Sequence, residues 1–435
     1  MADSIETGLI TFLTDECSKE WPGTPDYQKN LLSTGVFIGE LLGCFVWGPV
    51  ADKIGRTKAF LYCNLVLVIF GVASAAAPSY LWFIVFRFIV GTCVGGLVIP
   101  FDLLAESCDG ERMLMLTFSI EYFWTLGTLY VNGLAAAVLP TLGWRWLTVL
   151  AAVPLALAVV GYFFIVESPV WLVVVGRKQD AMKALQKAAA MNGVDLDGVE
   201  LVCEEPHDEA GCTELAQPQY RARTVVLFSV WLLGLFGYYG ASFATPLIFG
   251  TSDGTNYGAV FFASSGEIVG VALCTFISLR IGVMKGMGLF YAVAAVACFA
   301  LMSCHQVPVW VAGILAFVCR AGVMGGSCAT WVATPPAYPA TVRSTAHGMC
   351  NAMGRVGGIM ATAWPGSTPD LVKLASYGGA NAVCVLLALG PGRRLLDDGH
   401  FDKLATEVSV VGTSSLCPRG RSSLLDGSGR VSKPV

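Results

Sequence analysis

The chain has 435 residues, of which 55% are hydrophobic and 13% charged, with a mean hydropathy of +0.65. A water-soluble globular domain does not reach that balance, so most of the chain belongs in a membrane. A net charge of −4 and four scattered histidines (His207, His305, His347, His400) leave neither a basic field for nucleic acid nor a histidine-rich metal site. The fifteen cysteines form no C-x-x-C pair, and most of them, such as Cys44, Cys63, Cys93 and Cys274, sit inside apolar runs and read as small core residues. No zincin, P-loop or nucleophile-elbow pattern occurs, so the sequence predicts no metal, no cofactor and no enzyme.

Apolar runs of the length that crosses ~30 Å of hydrocarbon as a helix recur along the chain. They fall at Asn30–Val50, Ala59–Ala77, Tyr80–Ala105, Leu114–Leu139 and Trp146–Val166, then at Thr224–Phe249, Ala259–Leu279, Met287–Cys304, Pro308–Ala333, Thr345–Trp364 and Leu371–Leu389. Alternate connections are basic: Lys53, Arg56 and Lys58; Arg112; Arg177 through Arg223; Arg280 and Lys285; Arg343; Arg393 and Arg394. The positive-inside rule places these connections, with the C-terminus, on the cytoplasmic side. That orientation puts Asp15–Lys29 outside, and only Met1–Thr14 remains to supply the preceding span, with Asp3 and Glu6 near its midpoint. The expectation is an incomplete first helix, as a truncated gene model would leave.

Four regions follow: an N-terminal helix bundle (1–166), a cytoplasmic central loop (167–223), a C-terminal helix bundle (224–391) and a largely disordered cytoplasmic tail (392–435). Within the loop, Lys178–Met191 has helix-forming residues with Met182 and Leu185 apolar and Lys183 and Lys187 basic, an amphipathic pattern. Asp195–Gln219 is acidic and turn-rich, and reads as loop.

The second span ends in Gly48-Pro49-Val50-Ala51-Asp52-Lys53-Ile54-Gly55-Arg56-Thr57-Lys58, which fits G-x-x-x-D-[RK]-x-G-R-x-[RK]. Gly48 reads as a place of close helix approach and Gly55 as a tight turn, while Asp52 and Arg56 can pair reversibly at a gate. At these residues the sequence resembles the major facilitator superfamily. Arg87-x-x-x-Gly91-x-x-x-Gly95-Gly96, Pro100-x-Asp102-x-x-x-Glu106 with Arg112 beyond, and Glu167-Ser168-Pro169-x-Trp171-Leu172 resemble its sugar-transporter-like portion. Glu121-x-x-Trp124, Gly143-Trp144-Arg145-Trp146, Tyr238-Tyr239-Gly240 and Arg355-Val356-Gly357 look like the synaptic-vesicle-glycoprotein-related group. The resemblance implies an all-α, polytopic fold of twelve helices in two six-helix bundles, and a secondary carrier in a plasma, vesicle or organelle membrane. The sequence departs from the pattern at Leu279 and Pro336, where the family carries acids.

Six charges lie deep in spans: Glu40, Glu121, Glu267, Arg87, Arg320 and Arg355. Each costs at least ~2.5–3.5 kcal/mol near the bilayer centre unless it faces protein or water. Three acids and three arginines can simply neutralise one another, and Arg87, Glu40 and Arg320 are read as such structural ion pairs. Glu121, Glu267 and Arg355 are assigned to a central cavity, because the resemblance implies that the fifth, seventh, eighth and eleventh helices line it, with Trp124, Tyr238 and Tyr239 beside them. The seventh span is rich in glycine (Gly234, Gly237, Gly240) and carries Pro246, which suits either a bending gate helix or simple small-residue packing. The implied partners are the bilayer and a small organic solute, an organic anion or zwitterion held by Arg355 or else a neutral sugar, with a co-transported proton on Glu267 or Glu121. A rival reading, motivated by the short first helix, Leu279 and Pro336, is a non-transporting receptor or scaffold of the same fold. Asp52→Asn is expected to slow cycling while leaving membrane insertion near normal, because an amide pairs less strongly with a guanidinium. Uptake kinetics beside surface expression check this, and wild-type kinetics would reduce Asp52 to a turn residue.

Overall fold

Hydrocarbon offers no partner to a backbone N–H or C=O, so apolar runs of this length close their hydrogen bonds internally as helices. The computed structural model describes residues 1–105, 110–193, 215–251, 254–338, 340–364 and 367–396. Helices α1 (Ala2–Glu20), α2 (Asp26–Ile54), α3 (Arg56–Ala73), α4 (Tyr80–Val94), α5 (Ile99–Ala105), α6 (Gly110–Val138), α7 (Gly143–Ala151) and α8 (Val153–Gly161) form the first half. A short 3₁₀ turn, Gly95–Val98, joins α4 to α5 into one crossing, and α7 with α8 makes another. The second half holds α11 (Pro218–Ile248), α12 (Tyr257–Ile281), α13 (Val283–Leu301), α14 (Val309–Ala333), α15 (Ala340–Thr362), α16 (Asp370–Leu387) and the short α17 (Arg393–Leu396). A helix thus covers each of the eleven expected spans. Among the described residues nine segments are both long and apolar enough to cross a membrane. The segments α1, α6 and α15 are long but more polar, and they carry much of the central chemistry described below.

Between the halves, α9 (Pro169–Val174) starts at a cap in which the Trp171 N–H donates to Ser168 Oγ at 3.2 Å. The amphipathic run forms α10 (Lys178–Asn192), with Ala181 and Ala184 buried on Trp171 and Leu172. Helix α11 begins at Pro218, six residues before the span expected from Thr224, because proline suits a first helical turn whose N–H has no partner anyway. The acidic segment 194–214 and the tail from 397 lie outside the described residues.

Within the first half α2 packs on α4, α1 on α6 and α7, and α3 on α4 and α8; within the second, α14 packs on α12 and α13, and α11 on α15 and α16. A methyl on Gly91 would lie 2.3 Å from Val36 O, and one on Gly270 would lie 2.3 Å from Ala321 O. These small residues let α2 meet α4, and α12 meet α14, nearly backbone to backbone. The halves also repeat one turn. Gly55 (φ 104°, ψ 152°) links α2 to α3, and Gly282 (φ 93°, ψ 149°) links α12 to α13, in a conformation open essentially to glycine alone.

The face that carries Gly55 and Gly282 is here termed the basic face, after the sequence charges around them. On the opposite, far face the Glu20 carboxylate at the end of α1 accepts from Arg145 at 2.5 Å and from the Trp144 indole N–H at 2.8 Å, while Arg145 also donates to Ala75 O. This clasp ties α1, α7 and the turn after α3. The Arg145 bond, and after it the Trp144 bond, hold the Glu20 carboxyl below its ordinary range. The stabilisation is therefore complete at neutral pH and is lost as pH falls below about 4, where Glu20 takes up a proton. Both side chains are about 40% exposed, so solvent limits the effect to less than about 1 kcal/mol. Glu20→Gln should lower the melting temperature slightly at pH 7 and lose that difference below pH ~3, measured by thermal unfolding in detergent.

Candidate functional site

The halves meet along α6 against α12 and α2 against α15. At that seam lie two chambers. The first, toward the basic face, is lined by Glu121 and Trp124 of α6, Tyr238 and Tyr239 of α11, Trp331 of α14 and Arg355 of α15, among others. The second, toward the far face, has a wall rich in hydroxyl and amide groups, including Thr11, Thr128, Asn132, Ser242 and Ser264. Both are narrow, about wide enough for a water molecule. Trp124 and Tyr238 line both chambers, and the Trp124 indole N–H donates to Tyr238 Oη at 2.5 Å. The bond joins one half to the other, so it forms part of the wall between the two spaces.

Each of the three deep arginines is held by acid. In the first half Arg87 Nη1 meets Glu6 Oε2 at 2.5 Å and also donates to Gly71 O and Ser74 Oγ. In the second half Arg320 bonds Glu267 and Ser242, and Glu267 Oε1 also accepts from Tyr238 Oη at 2.9 Å. Between the halves Arg355 of α15 reaches Asp3 of α1 at 2.6 Å, Glu40 of α2 at 2.8 Å and Tyr239 Oη at 2.9 Å. Glu40 and Glu267 are wholly buried and Arg355 is 3% exposed. Removing one partner would strand a charge in low dielectric, which is far costlier than losing a surface pair. Glu121, 6% exposed, lines the first chamber with no ion-pair partner among the described residues.

Further polar bonds cross the seam toward the far face: Asn132 Nδ2 to Ser264 Oγ at 2.7 Å, Asn30 Nδ2 to Trp364 O at 3.1 Å, and Thr34 with Thr362 at 3.2 Å. Toward the basic face the crossing contacts are aromatic, Phe101 lying edge-on to His347 at 5.1 Å and near Trp331 at 5.9 Å. Central Phe37 of α2 meets Tyr239 edge-on at 4.7 Å.

The sequence model of the Major Facilitator Superfamily matches residues 11–362, most of the chain. The chain belongs to that superfamily. Among relatives, the synaptic vesicle 2-related protein of Pongo abelii is 31% identical over 438 residues, covering 92% of this chain and 78% of its own. The organic cation/carnitine transporter 7 of Arabidopsis thaliana is 29% identical over 412 residues, covering 83% and 81%. A partially occluded inward-open structure of the xylose transporter XylE from E. coli superimposes with a TM-score of 0.69 at 17% identity, covering 88% of this chain and 93% of that one. The superfamily's members are transporters, not enzymes, and this chain is a multi-pass membrane protein of that fold.

For this major facilitator chain, five of the six residues assigned to the cavity line one chamber: Glu121, Trp124, Tyr238, Tyr239 and Arg355. Glu267 stands behind Tyr238. The division into ion-pair and cavity residues does not follow the geometry, since Glu40 sits on Arg355 and Arg320 on Glu267. Asp3 and Glu6, whose place near the midpoint of the first span motivated the expectation of an incomplete helix, are the counter-ions of Arg355 and Arg87. Their signal was present in the sequence: an arginine at depth demands an acid at similar depth, and the first helix offered two.

At the gate motif, Lys53 and Lys58 are exposed, Arg56 is half-buried and Gly55 makes the expected turn. Gly48 does not serve helix approach, because it is exposed and a methyl there would meet nothing within 4 Å; Gly43, one turn earlier on the same helix, faces α4 instead. The side chains of Asp52 and Arg112, and Glu106 entirely, lie outside the described residues. Glu167, quoted in a motif but given no role, accepts from Thr57 Oγ1 at 2.7 Å and from the Thr57 N–H at 3.2 Å, so its carboxylate caps the N-terminus of α3 beside Gly55. Helix α11 runs unbroken through its glycines, which pack against Tyr291, Asn381 and Tyr377. Small-residue packing, rather than a bend, is what these glycines provide.

Arg355→Lys keeps the charge but loses the planar fork that reaches Asp3 and Glu40 together. The seam should then open more readily beside Cys44, a half-buried thiol of α2 next to Asn351 of α15. Peptide-resolved thiol labelling is expected to be several-fold faster at Cys44 in the variant, and an unchanged rate would show that the fork does not hold the halves closed.

Proposed function

We propose that the protein is a proton-coupled secondary carrier that moves a small organic solute by alternating access, with the basic face cytoplasmic. The observation that carries this reading is the pair of chambers at the seam, divided by a bond between the halves and flanked by ion pairs that cross it. Rocking one half against the other exchanges which chamber is open, provided that those crossing contacts break and reform. Breaking a buried pair between full charges is expensive, and protonating the acid weakens the hold on its arginine, which then needs water or another acceptor as the seam opens.

Glu267 is the coupling acid of this reading. It holds Arg320 and Tyr238, and Thr128, which lines the second chamber, stands beside it. A proton arriving by that chamber releases Arg320 and Tyr238, and with Tyr238 the bond to Trp124. The orientation rests on the positive-inside rule applied to the basic connections. The resemblance to a synaptic vesicle 2-related protein supports a vesicle or other organelle membrane.

The test is uptake into proteoliposomes with and without an imposed proton gradient. Glu267→Gln should lose gradient-driven accumulation while retaining exchange, since the amide mimics the protonated acid. Wild-type gradient dependence in that variant would remove Glu267 from coupling.

A further inference from the structure

The names of the relatives point to different chemistries, an organic cation in one case and xylose in another, so the solute class has to come from the chamber itself. Arg355 is the side chain that would recruit an anion. Its guanidinium already meets two carboxylates, Asp3 at 2.6 Å and Glu40 at 2.8 Å, and it also donates to Tyr239. An incoming carboxylate would have to displace partners of the same charge that are fixed on helices and already desolvated. The local balance is also against an anion. Five carboxyl groups at depth (Asp3, Glu6, Glu40, Glu121, Glu267) outnumber three guanidiniums (Arg87, Arg320, Arg355) among the described residues. The Met1 amino group acts on Glu121 through space without forming an ion pair with it, and counting it still leaves the carboxyl groups more numerous than the cations.

A neutral sugar fits poorly as well, because recognising several hydroxyls takes several free polar groups. The first chamber has few: Glu121, Ser327 and Asn351 are polar, while Leu235 and Met324 are apolar and the rest of the named wall is aromatic or occupied by Arg355. The Tyr238 phenol is already committed, accepting from Trp124 and donating to Glu267.

From this we infer that the first chamber binds an organic cation, with Glu121 as its counter-charge and Trp124, Tyr238, Tyr239 and Trp331 as its aromatic wall. The inference rests on the carrier reading above and replaces the anion or zwitterion expected from sequence. Among the described residues Glu121 has no ion-pair partner, is 6% exposed and lines a chamber with four aromatic side chains, and a carboxylate beside aromatic rings is the combination that recognises a substituted ammonium. Leu235 and Met324 supply apolar contact for alkyl substituents. Because the chamber is narrow as it stands, the cation enters only when the seam opens on the basic side, where Phe101 lies on His347 and Trp331.

The experiment uses the full chain, purified and reconstituted, with tetraethylammonium, nicotinate and xylose as probes. Binding is read by tryptophan fluorescence and movement by counterflow. Tetraethylammonium should bind and exchange, Glu121→Gln should lose at least about tenfold in affinity for it, and Glu121→Asp should recover part of that loss. An unchanged thermal melt in the Gln variant shows that the loss is not one of folding. Nicotinate or xylose moving while tetraethylammonium does not would overturn the cation inference and keep the carrier. Full cation affinity in Glu121→Gln would overturn the assignment of Glu121. A folded wild-type protein that binds and exchanges none of the three would count against both readings.

Discussion

The organisation of this protein depends on the cost of a guanidinium away from water. Three arginines lie in helices that cross the membrane, and a lone one at that depth would offset a large part of the stability of a domain held by a few kcal/mol. Each is therefore met by carboxylates from other helices, and those meetings decide which helices neighbour which. Arg87 binds α4 to α1, Arg320 binds α14 to α12, and Arg355 binds α15 to α1 and α2. Two of these bonds lie inside a half and make it rigid. The third lies across the seam and makes the relation between halves a matter of charge.

That distribution separates structure from movement. Helices within a half approach to backbone contact at Gly91 and Gly270, where no side chain can intervene and no sliding is tolerated. Contacts between the halves are instead hydrogen bonds between small polar side chains, edge-on aromatic pairs and one ion-pair group. The hydrogen bonds and aromatic pairs can be exchanged for others, or for water, at modest cost, and the ion-pair group carries the main expense of parting the halves. A rigid pair of bodies joined by an exchangeable interface is the physical requirement for rocking.

Much of the fold was legible in the sequence, because a hydropathy run of about 20 residues has few structural solutions. The eleven spans, the Gly55 turn and the α10 helix follow from pattern alone. The chamber was legible in part, since acids, arginines and aromatics at depth are conspicuous in an apolar run. Pairing was not, because which acid meets which arginine is set by helix rotation and crossing, to which a one-dimensional pattern is blind. Glu40 illustrates the limit: its depth was evident, its place on Arg355 was not. Asp3 and Glu6 were obscured for another reason, because the first helix was judged by its length and polarity rather than by the two counter-charges it brings.

The wall shared by the two chambers has an electrical consequence. Trp124 and Tyr238 separate the chamber toward the basic face from the one toward the far face, so whichever chamber opens to water brings the potential of its aqueous side up to that layer. A unit charge carried across that layer experiences about 2.3 kcal/mol for every 100 mV. With a chamber open the voltage falls over less than the full bilayer thickness, and Glu267, bonded to Tyr238, sits at the edge of that layer. A displacement of this acid and of Arg320 by an ångström or two would then register as a measurable capacitive current, making the membrane potential itself a participant in which side is open.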